Sequence, residues 1–119
     1  MQGLGELESA VMDVLWQAEG PLTVRGVLGV VNQRRELAYT TVMTVLDNLH
    51  RKEWVSRSMQ NRAYLYTPVM SREEAAAQAL RTLLADTDDP ESVLLHFAAS
   101  ASDGERDALR RGLRKRPRP

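Results

Sequence analysis

The fold is decided by the stretch Ala38-Tyr-Thr-Thr-Val-Met-Thr-Val-Leu-Asp-Asn-Leu-His-Arg-Lys52, which predicts a helix with two different faces. One face is apolar, because four residues recur at the helical spacing: Val42, Val45, Leu46 and Leu49. The opposite face collects short polar side chains and a terminal cation: Thr40, Thr44, Asp47 and Arg51, flanked by Thr41, Asn48 and Met43. We therefore expect one side of this helix in a core and the other against a polar partner or solvent.

The polar face of residues 38–52 suits the major groove of DNA. Threonine side chains can contact base edges or a thymine methyl group, and Arg51 and Lys52 at the end of the helix can reach phosphates. The alternative is an ordinary solvated helix face, which the same composition would also produce. The rest of the chain has to decide between these two interpretations of the candidate recognition helix.

Length and composition are those of an ordinary globular chain. It has 119 residues, 43% hydrophobic and 27% charged, so we expect one domain of usual size, or a small domain with an appendage. The absence of cysteine excludes disulfides and thiolate metal sites. No segment near Met1 resembles a signal peptide, and no apolar run approaches the roughly 18 residues of a membrane span. We therefore expect a soluble cytoplasmic protein.

The formal net charge is zero, but charge is distributed unevenly along the chain. Bases outnumber acids in residues 32–68, where Arg34, Arg35, Arg51, Lys52, Arg57 and Arg62 accompany Glu36, Asp47 and Glu53. The segment before this region is acidic, and so are residues 71–113 after it. Positive charge around the candidate recognition helix favours a nucleic-acid partner, with modest affinity per subunit and strong salt dependence.

Two shorter amphipathic helices are predicted before the candidate recognition helix. Residues 6–18 place Leu7, Val11, Val14, Leu15 and Ala18 on one face, and Gly20-Pro21 ends that helix. Trp16 is expected to be a packing residue. Thr23 can cap a second helix with an apolar stripe of Val24, Val27, Leu28 and Val31.

A β-hairpin is predicted after the recognition helix. Residues 54–59 and 63–68 are rich in β-forming residues, and Gln60-Asn61-Arg62 connects them, with Asn61 best suited to a positive φ. Trp54, Val55, Leu65 and one of Tyr64 or Tyr66 are expected to cover the helical core, which leaves Arg57 and Arg62 near the tip. Three helices followed by a basic-tipped hairpin is the order of a winged helix-turn-helix, whose third helix enters the major groove and whose wing contacts flanking backbone or minor groove.

Three further helices are predicted after the hairpin. Capping signals open each of them: Ser71 with Glu74, Asp89 with Pro90, and Ser102 with Glu105. The fold class is therefore mostly α with a small β-hairpin wing. We divide it into a winged helix-turn-helix DNA-binding domain at residues 1–69, a helical dimerisation region at 70–114 and a disordered basic tail at 115–119.

The C-terminal helices carry apolar residues that so short a segment cannot bury by itself. The residues are Leu80, Leu83, Leu84, Leu94, Phe97 and Leu109. The same surface of a second copy is the expected partner, which predicts a homodimer. A dimer suits two half-sites about 34 to 36 Å apart on one face of the duplex.

Four motifs resemble those of the penicillinase-repressor family, the BlaI/MecI/CopY group of winged-helix transcriptional repressors. They are Glu8-Ser-Ala-Val-Met-Asp-Val-Leu-Trp16, Thr23-Val-Arg-Gly-Val27, Ala38-Tyr-Thr-Thr-Val-Met-Thr-Val-Leu46 and Arg62-Ala-Tyr-Leu-Tyr-Thr-Pro68. The resemblance spans roughly residues 4–113 and is most specific in the recognition helix, which looks most like the actinobacterial BlaI branch. Glu53 departs from the glycine usual after the basic pair.

The resemblance implies a homodimeric repressor on a dyad-symmetric DNA operator, controlling β-lactam-response or related genes and so antibiotic resistance. It implies that Tyr39, Thr40, Thr41 and Thr44 read DNA and that the C-terminal helices dimerise. Family members paired with a membrane sensor metalloprotease are induced by cleavage of an Asn-Phe bond. The aligned bond here is His96-Phe97, where histidine replaces asparagine. The copper-responsive branch uses a C-terminal cysteine cluster, which this chain lacks.

The predicted site is a DNA-binding surface. Its residues are Thr23, Arg25, Tyr39, Thr40, Thr41, Thr44, Asn48, Arg51, Lys52, Arg57 and Arg62. No catalytic motif, cofactor fingerprint or small-molecule site is apparent, and His50 and His96 lack the spacing of metal ligands. We therefore expect a non-enzyme without cofactor or metal. The alternative is a winged-helix scaffold that binds proteins and no DNA.

Overall fold

The computed structural model describes residues 3–115, which form six α-helices and one two-stranded antiparallel sheet. Their bounds are α1 Glu6–Gln17, α2 Val24–Val31, α3 Tyr39–Arg51, β1 Val55–Gln60, β2 Ala63–Pro68, α4 Arg72–Ala85, α5 Pro90–Ser100 and α6 Asp103–Arg114. The predicted fold class is confirmed. The chain divides into two compact units between Ala79 and Leu80.

The core of the first unit is made by the apolar stripes of α1, α2 and α3. Its buried members are Val11, Met12, Leu15, Val24, Val27, Val31, Val42, Val45, Leu46, Leu49, Val55 and Tyr66. Each helix contributes residues at the helical spacing, so each presents one continuous face to the other two. The four apolar residues predicted for α3 are all buried, which fixes the opposite face of α3 toward the outside.

The hairpin covers this core with one face only. Tyr66 is 1% exposed, whereas Leu65 is only partly buried and lies outside the core cluster. The expectation that Leu65 covers the core was wrong, because neighbouring residues of a strand point to opposite faces of the sheet. Tyr66 also pairs with the loop before α2, because its backbone N–H donates to the Leu22 carbonyl at 2.8 Å and its carbonyl accepts from the Leu22 N–H at 3.1 Å.

Two tight turns determine where the hairpin begins and folds back. At the end of α3 the N–H of Trp54 donates to the carbonyl of Leu49 at 2.9 Å. Glu53, which follows the C-cap residue Lys52, has a φ of +65°. At the tip, Gln60 pairs with Ala63, so the connector has two residues rather than the predicted three. Asn61 and Arg62 both have positive φ, at +51° and +68°.

Trp16 and Arg72 fasten the start of α4 to α1. The Trp16 indole N–H donates to the Met70 carbonyl at 3.0 Å, and its ring packs edge-on against Trp54 with centroids 6.4 Å apart. Arg72 pairs with Asp13 at 3.0 Å and lies over the Trp16 ring. Trp16 is thus a packing residue, as predicted, and its indole nitrogen also forms a hydrogen bond.

The second unit consists of short capped helices with little buried surface. The caps predicted for its last two helices are present, since Asp89 accepts from Ser92, and Ser102 and Glu105 form a capping box. The predicted cap of α4 is also present but belongs to the first unit, where Ser71 and Glu74 bond reciprocally at 2.9 and 3.0 Å. No residue of α5 or α6 is buried. Lys115 caps α6, and residues 116–119 of the predicted basic tail lie outside the described residues.

Candidate nucleic-acid interface

The outward face of α3 presents the residues that the sequence predicted to meet DNA. Thr40, Met43, Thr44 and Asp47 are exposed, and Tyr39 at the first turn is 42% exposed. Thr41 and Asn48, at the edges of this face, are partly buried. The face is a direct consequence of the buried stripe on the other side of the same helix. Its small hydroxyl side chains leave the helix backbone accessible to a flat polar surface.

The end of α3 carries two predicted phosphate contacts with different surroundings. The guanidinium of Arg51 donates to the side-chain oxygen of Asn48 and remains exposed. Lys52 is turned toward α1, where its Nζ lies 2.8 Å from Oε1 of the buried Glu8. Lys52 therefore already has an acidic partner, although 46% of its side chain is exposed.

Glu8 is the buried acidic partner of Lys52. Its Oε1 accepts from the backbone N–H of Gly5 at 2.8 Å as well as from Lys52. These hydrogen bonds, first that of Lys52 and then that of Gly5, hold the pKa of Glu8 below its ordinary value. The sequence analysis missed Glu8, because it lies 44 residues from Lys52. The C-terminus of α3 is consequently tied to the N-terminus of α1.

The first turn of α2 lies beside the first turn of α3. The hydroxyl of Thr23 accepts from the N–H of Gly26 at 3.0 Å and so caps α2. The exposed Arg25 places its guanidinium carbon 5.7 Å from the ring centroid of Tyr39, a cation–π distance. The structure thus brings together residues that the sequence could only name separately.

The two predicted wing cations have different surroundings. Arg57 donates to Asp47 of α3 at 2.8 Å and lies over the Tyr64 ring, so only 24% of its side chain is exposed. Arg62 lies in the exposed turn, and we find no ion pair for it within residues 3–115. The sequence analysis placed both near the tip. Strand register separates them, since Arg57 is opposite Tyr66, three pairs away from the turn.

A cleft of about 630 Å³ lies between the start of α2, the outward face of α3 and the hairpin. Four predicted site residues line it, Thr23, Arg25, Tyr39 and Arg62, together with Met43, Asp47, Met59 and Tyr64 among others. The cleft itself was not apparent in the sequence, because three separate segments build it. The cleft joins the recognition helix to the wing in one continuous surface.

The predicted dimerisation residues are exposed in the single chain. Leu80, Leu83, Leu94, Phe97 and Leu109 are 47% to 61% exposed, and Leu84 is partly buried. The His96-Phe97 bond lies inside α5, between its first residue Pro90 and its last residue Ser100.

Residues 3–115 contain neither a candidate metal site nor a candidate membrane span. No three or more His, Asp or Glu side chains lie where they could hold a metal ion. No helix there is both long and apolar enough to cross a bilayer.

Comparison with known proteins identifies relatives over most of the chain. The model of a family described as penicillinase repressor matches residues 4–115. The transcriptional regulator BlaI of Mycobacterium tuberculosis is 45% identical over 113 residues, which cover 92% of this chain and 82% of that protein. The similarity therefore includes both the hairpin-containing unit and the C-terminal helices.

Solved structures of other regulators share the fold at low identity. A MarR family protein from Bacillus stearothermophilus matches with a TM-score of 0.52 and 20% identity, over 95% of this chain and 72% of that one. Streptococcus pneumoniae FabT, solved in complex with DNA, matches with a TM-score of 0.51 and 18% identity, over 96% and 73%. These likenesses support the winged-helix architecture and nothing finer.

Proposed function

The chain belongs to the penicillinase-repressor family of transcriptional regulators, and from this membership we propose that it represses transcription as a homodimer on a dyad-symmetric DNA operator. DNA binding and repression follow from the family. What we propose beyond the family is the symmetry of the operator, the homodimer, and the residues that contact DNA or form the dimer interface. One observation supports it most: the exposed threonine face of α3 lies directly opposite its buried stripe, beside arginines of α2 and the wing.

We assign base contacts to the middle of α3 and phosphate contacts to its surroundings. Thr40 and Thr44 are exposed one turn apart, which suits contacts to base edges or thymine methyl groups in one major groove. Arg25, Arg51 and Arg62 are exposed at the start of α2, the end of α3 and the wing tip. Cations so spread around a recognition helix suit backbone contacts on both sides of the groove.

The proposed dimer uses the apolar residues of the second unit. Phe97 and the leucines Leu80, Leu83, Leu94 and Leu109 of α4, α5 and α6 are 47% to 61% exposed in the single chain. An isologous contact would bury the same residues twice, as a two-fold interface requires. We therefore keep residues 70–114 as the proposed dimerisation region.

Cleavage of the His96-Phe97 bond by a membrane sensor metalloprotease is the proposed route of induction. The genes released from repression would be β-lactam-response or related genes. The bond lies in the middle of α5, so its cleavage requires local opening of that helix. Because α5 buries no residue within its own chain, the packing that opposes this opening would be that of the proposed dimer interface. Cleavage would separate the interface residues on either side of the bond.

The proposal is tested by mobility shift with DNA from the region upstream of the protein's own gene. We expect a complex with this DNA at concentrations where a shuffled duplex of equal length and composition stays free. Raising the salt concentration should weaken both complexes, because phosphate contacts release counterions. A protein that shifts neither duplex at low salt would contradict DNA binding and favour the alternative, a winged-helix scaffold for other proteins.

A further inference from the structure

Asp47 is an acidic residue on the face of α3 that we propose to approach DNA. It follows Thr44 by three residues and therefore lies on the same side of the helix. An unpaired carboxylate in this position would repel the phosphates of a duplex. In the structure Asp47 is paired, because its Oδ1 accepts from Nη1 of Arg57 on β1 at 2.8 Å. The wing thus neutralises the acidic group of the recognition helix.

Arg57 is held from several sides by its own hairpin. Its guanidinium carbon lies 4.2 Å from the ring centroid of Tyr64. Hydrogen bonding to Tyr66, and then to Asp47, raises the pKa of Arg57 above its ordinary value. A planar guanidinium that stacks on a ring and bonds a carboxylate has much of its donor geometry already committed. Arg57 therefore has little freedom to turn toward a phosphate.

The tyrosines that contact Arg57 are themselves packed against the core of the first unit. Tyr64 packs edge-on against Tyr66, with ring centroids 6.1 Å apart, and Tyr66 is 1% exposed. The backbone of Tyr66 bonds to Leu22 before α2. A two-stranded hairpin is marginally stable by itself, so its angle to α3 depends on ties of this kind. The ion pair from Arg57 to Asp47 extends this support to the exposed side of α3.

We propose that Arg57 is a positioning residue, which locks the wing to the recognition helix and neutralises Asp47, rather than a residue that contacts DNA. The inference rests on the proposed function, in that the surface being positioned is the DNA-binding surface. It leaves Arg62 as the phosphate contact of the wing. It also means that the contribution of Arg57 to DNA affinity depends on its pair with Asp47 and not on its positive charge alone.

The first test needs no DNA. Hydrogen exchange is measured on the full chain for the wild type, Arg57→Gln, Asp47→Asn and the matched control Arg62→Gln, which removes the same charge from the same hairpin. We expect several-fold faster exchange of amides in residues 55–68 in Arg57→Gln and Asp47→Asn, and no change in Arg62→Gln. Unchanged exchange in both Asp47→Asn and Arg57→Gln would overturn the lock.

The second test is a double-mutant cycle on operator affinity. Arg57→Gln should weaken binding about tenfold in the wild-type background, because it leaves Asp47 unpaired. The same change should matter less than about threefold in Asp47→Asn, since contacting residues are coupled. The salt slope of the double variant should equal that of the wild type. Equal losses in both backgrounds, with the slope reduced by about one per wing, would instead show a direct phosphate contact.

The two tests separate this inference from the proposed function. A protein that binds no DNA, yet shows faster wing exchange in Arg57→Gln, would refute the repressor proposal and retain the lock. A protein that binds its operator, but whose hydrogen exchange in residues 55–68 is unchanged by Arg57→Gln, would refute the lock and retain the repressor proposal.

Discussion

Glu53, Asn61 and Arg62 share a backbone conformation that residues other than glycine rarely adopt, with φ between +51° and +68°. Asparagine tolerates it well, whereas glutamate and arginine do not. Both strained residues lie beside the proposed DNA-binding surface, one where α3 ends and one at the wing tip. The hydrogen bonds of the two turns compensate this backbone strain, which substitution by glycine should relieve at each position.

Replacing Glu53 by glycine should stabilise the protein. The left-handed conformation costs about 1 to 2 kcal/mol for an L-residue, and the greater freedom of unfolded glycine offsets about 0.4 to 1 kcal/mol of that gain. We therefore expect Glu53→Gly to raise the free energy of unfolding by about 0.5 to 1 kcal/mol in urea titrations. Glu53→Ala is the control, because it removes the charge and keeps the strain. Equal stabilisation by both variants would assign the effect to charge.

At Arg62 stability and binding should move in opposite directions. Asn-Gly is the favoured pair for a two-residue turn in which both residues have positive φ, so Arg62→Gly should stabilise the hairpin by roughly 0.5 to 1 kcal/mol. The same change should weaken specific and nonspecific DNA about equally and lower the salt slope by about one per wing. Mobility shifts at several salt concentrations, beside urea titrations, measure both effects.

Arg62→Ala distinguishes the two contributions, because it removes the cation without relieving the backbone. It should lose DNA affinity as Arg62→Gly does and should not gain stability. If either variant lost discrimination between sequences while keeping its nonspecific affinity, Arg62 would be a base contact rather than a phosphate contact.

Thr44 tests whether α3 reads bases directly. Its exposed hydroxyl lies opposite the buried stripe, so Thr44→Ala should cost about 1 to 3 kcal/mol of operator binding and relax base preference at one position per half-site. Thr67→Ala is the control, because Thr67 is also exposed but lies on β2 next to its end. Unchanged operator affinity in a folded Thr44→Ala dimer would remove this residue from direct readout.

At the scale of elements, local signals in the sequence were sufficient for helices and caps. The caps at Thr23, Ser71 and Ser102 are each determined by residues within one turn, and the stripe of α3 by residues within about two turns. The structure contains all of them. The exposed face of α3 followed from the same periodicity. Such features are predictable because their partners are near in sequence.

Contacts between elements could not be predicted in the same way. The pairs of Glu8 with Lys52 and of Asp47 with Arg57 join residues of separate elements, and their geometry depends on how those elements pack. The placement of Leu65 depended on which strand face meets the core, which its composition does not reveal. For this reason the sequence predicted which face of α3 is exposed, but not the ion pairs that Asp47 and Lys52 form.

The tie between α1 and α3 predicts a pH dependence of stability. The pKa of Glu8 is lowered in the folded protein from an ordinary value near 4.5, so its ionised form stabilises the fold above that pH. This contribution should disappear as the pH falls through the lowered pKa. Glu8→Gln should therefore be less stable than the wild type at pH 7, by roughly 1 kcal/mol, and the difference should shrink below about pH 4.5.

Urea midpoints measured between pH 3 and 7 test this prediction. The pKa values of Glu74 and Asp89 are also lowered, by their helix caps, but they are common to both proteins and cancel in the difference. Glu6→Gln is the matched control, since Glu6 pairs with Arg35 on the surface and is 80% exposed. A difference between Glu8→Gln and wild type that does not vary with pH would contradict the role of the Glu8 charge.

For the whole molecule, the central question is what covers the second unit. Its helices begin with well-formed caps, yet α5 and α6 bury no residue. Backbone order in these helices therefore needs a source of stability outside the single chain, because isolated helices of this length are marginal in water. The sequence predicted this surface from the mismatch between apolar residues and segment length. The second copy that we propose would cover this surface with two-fold symmetry and would supply the second half-site contact.

Phe97→Ala tests this argument, because Phe97 is the largest exposed apolar side chain of α5. Losing one buried phenylalanine typically costs 3 to 5 kcal/mol, and a symmetric dimer loses two. We expect sedimentation to show a shift toward monomer, and operator affinity to fall by orders of magnitude while weak nonspecific binding remains. Arg110→Ala, an exposed change on α6, should leave both measurements near wild type. A monomeric Phe97→Ala protein with undiminished operator affinity would mean that one winged-helix unit suffices, and cleavage at His96-Phe97 could not then induce by dissociating the dimer.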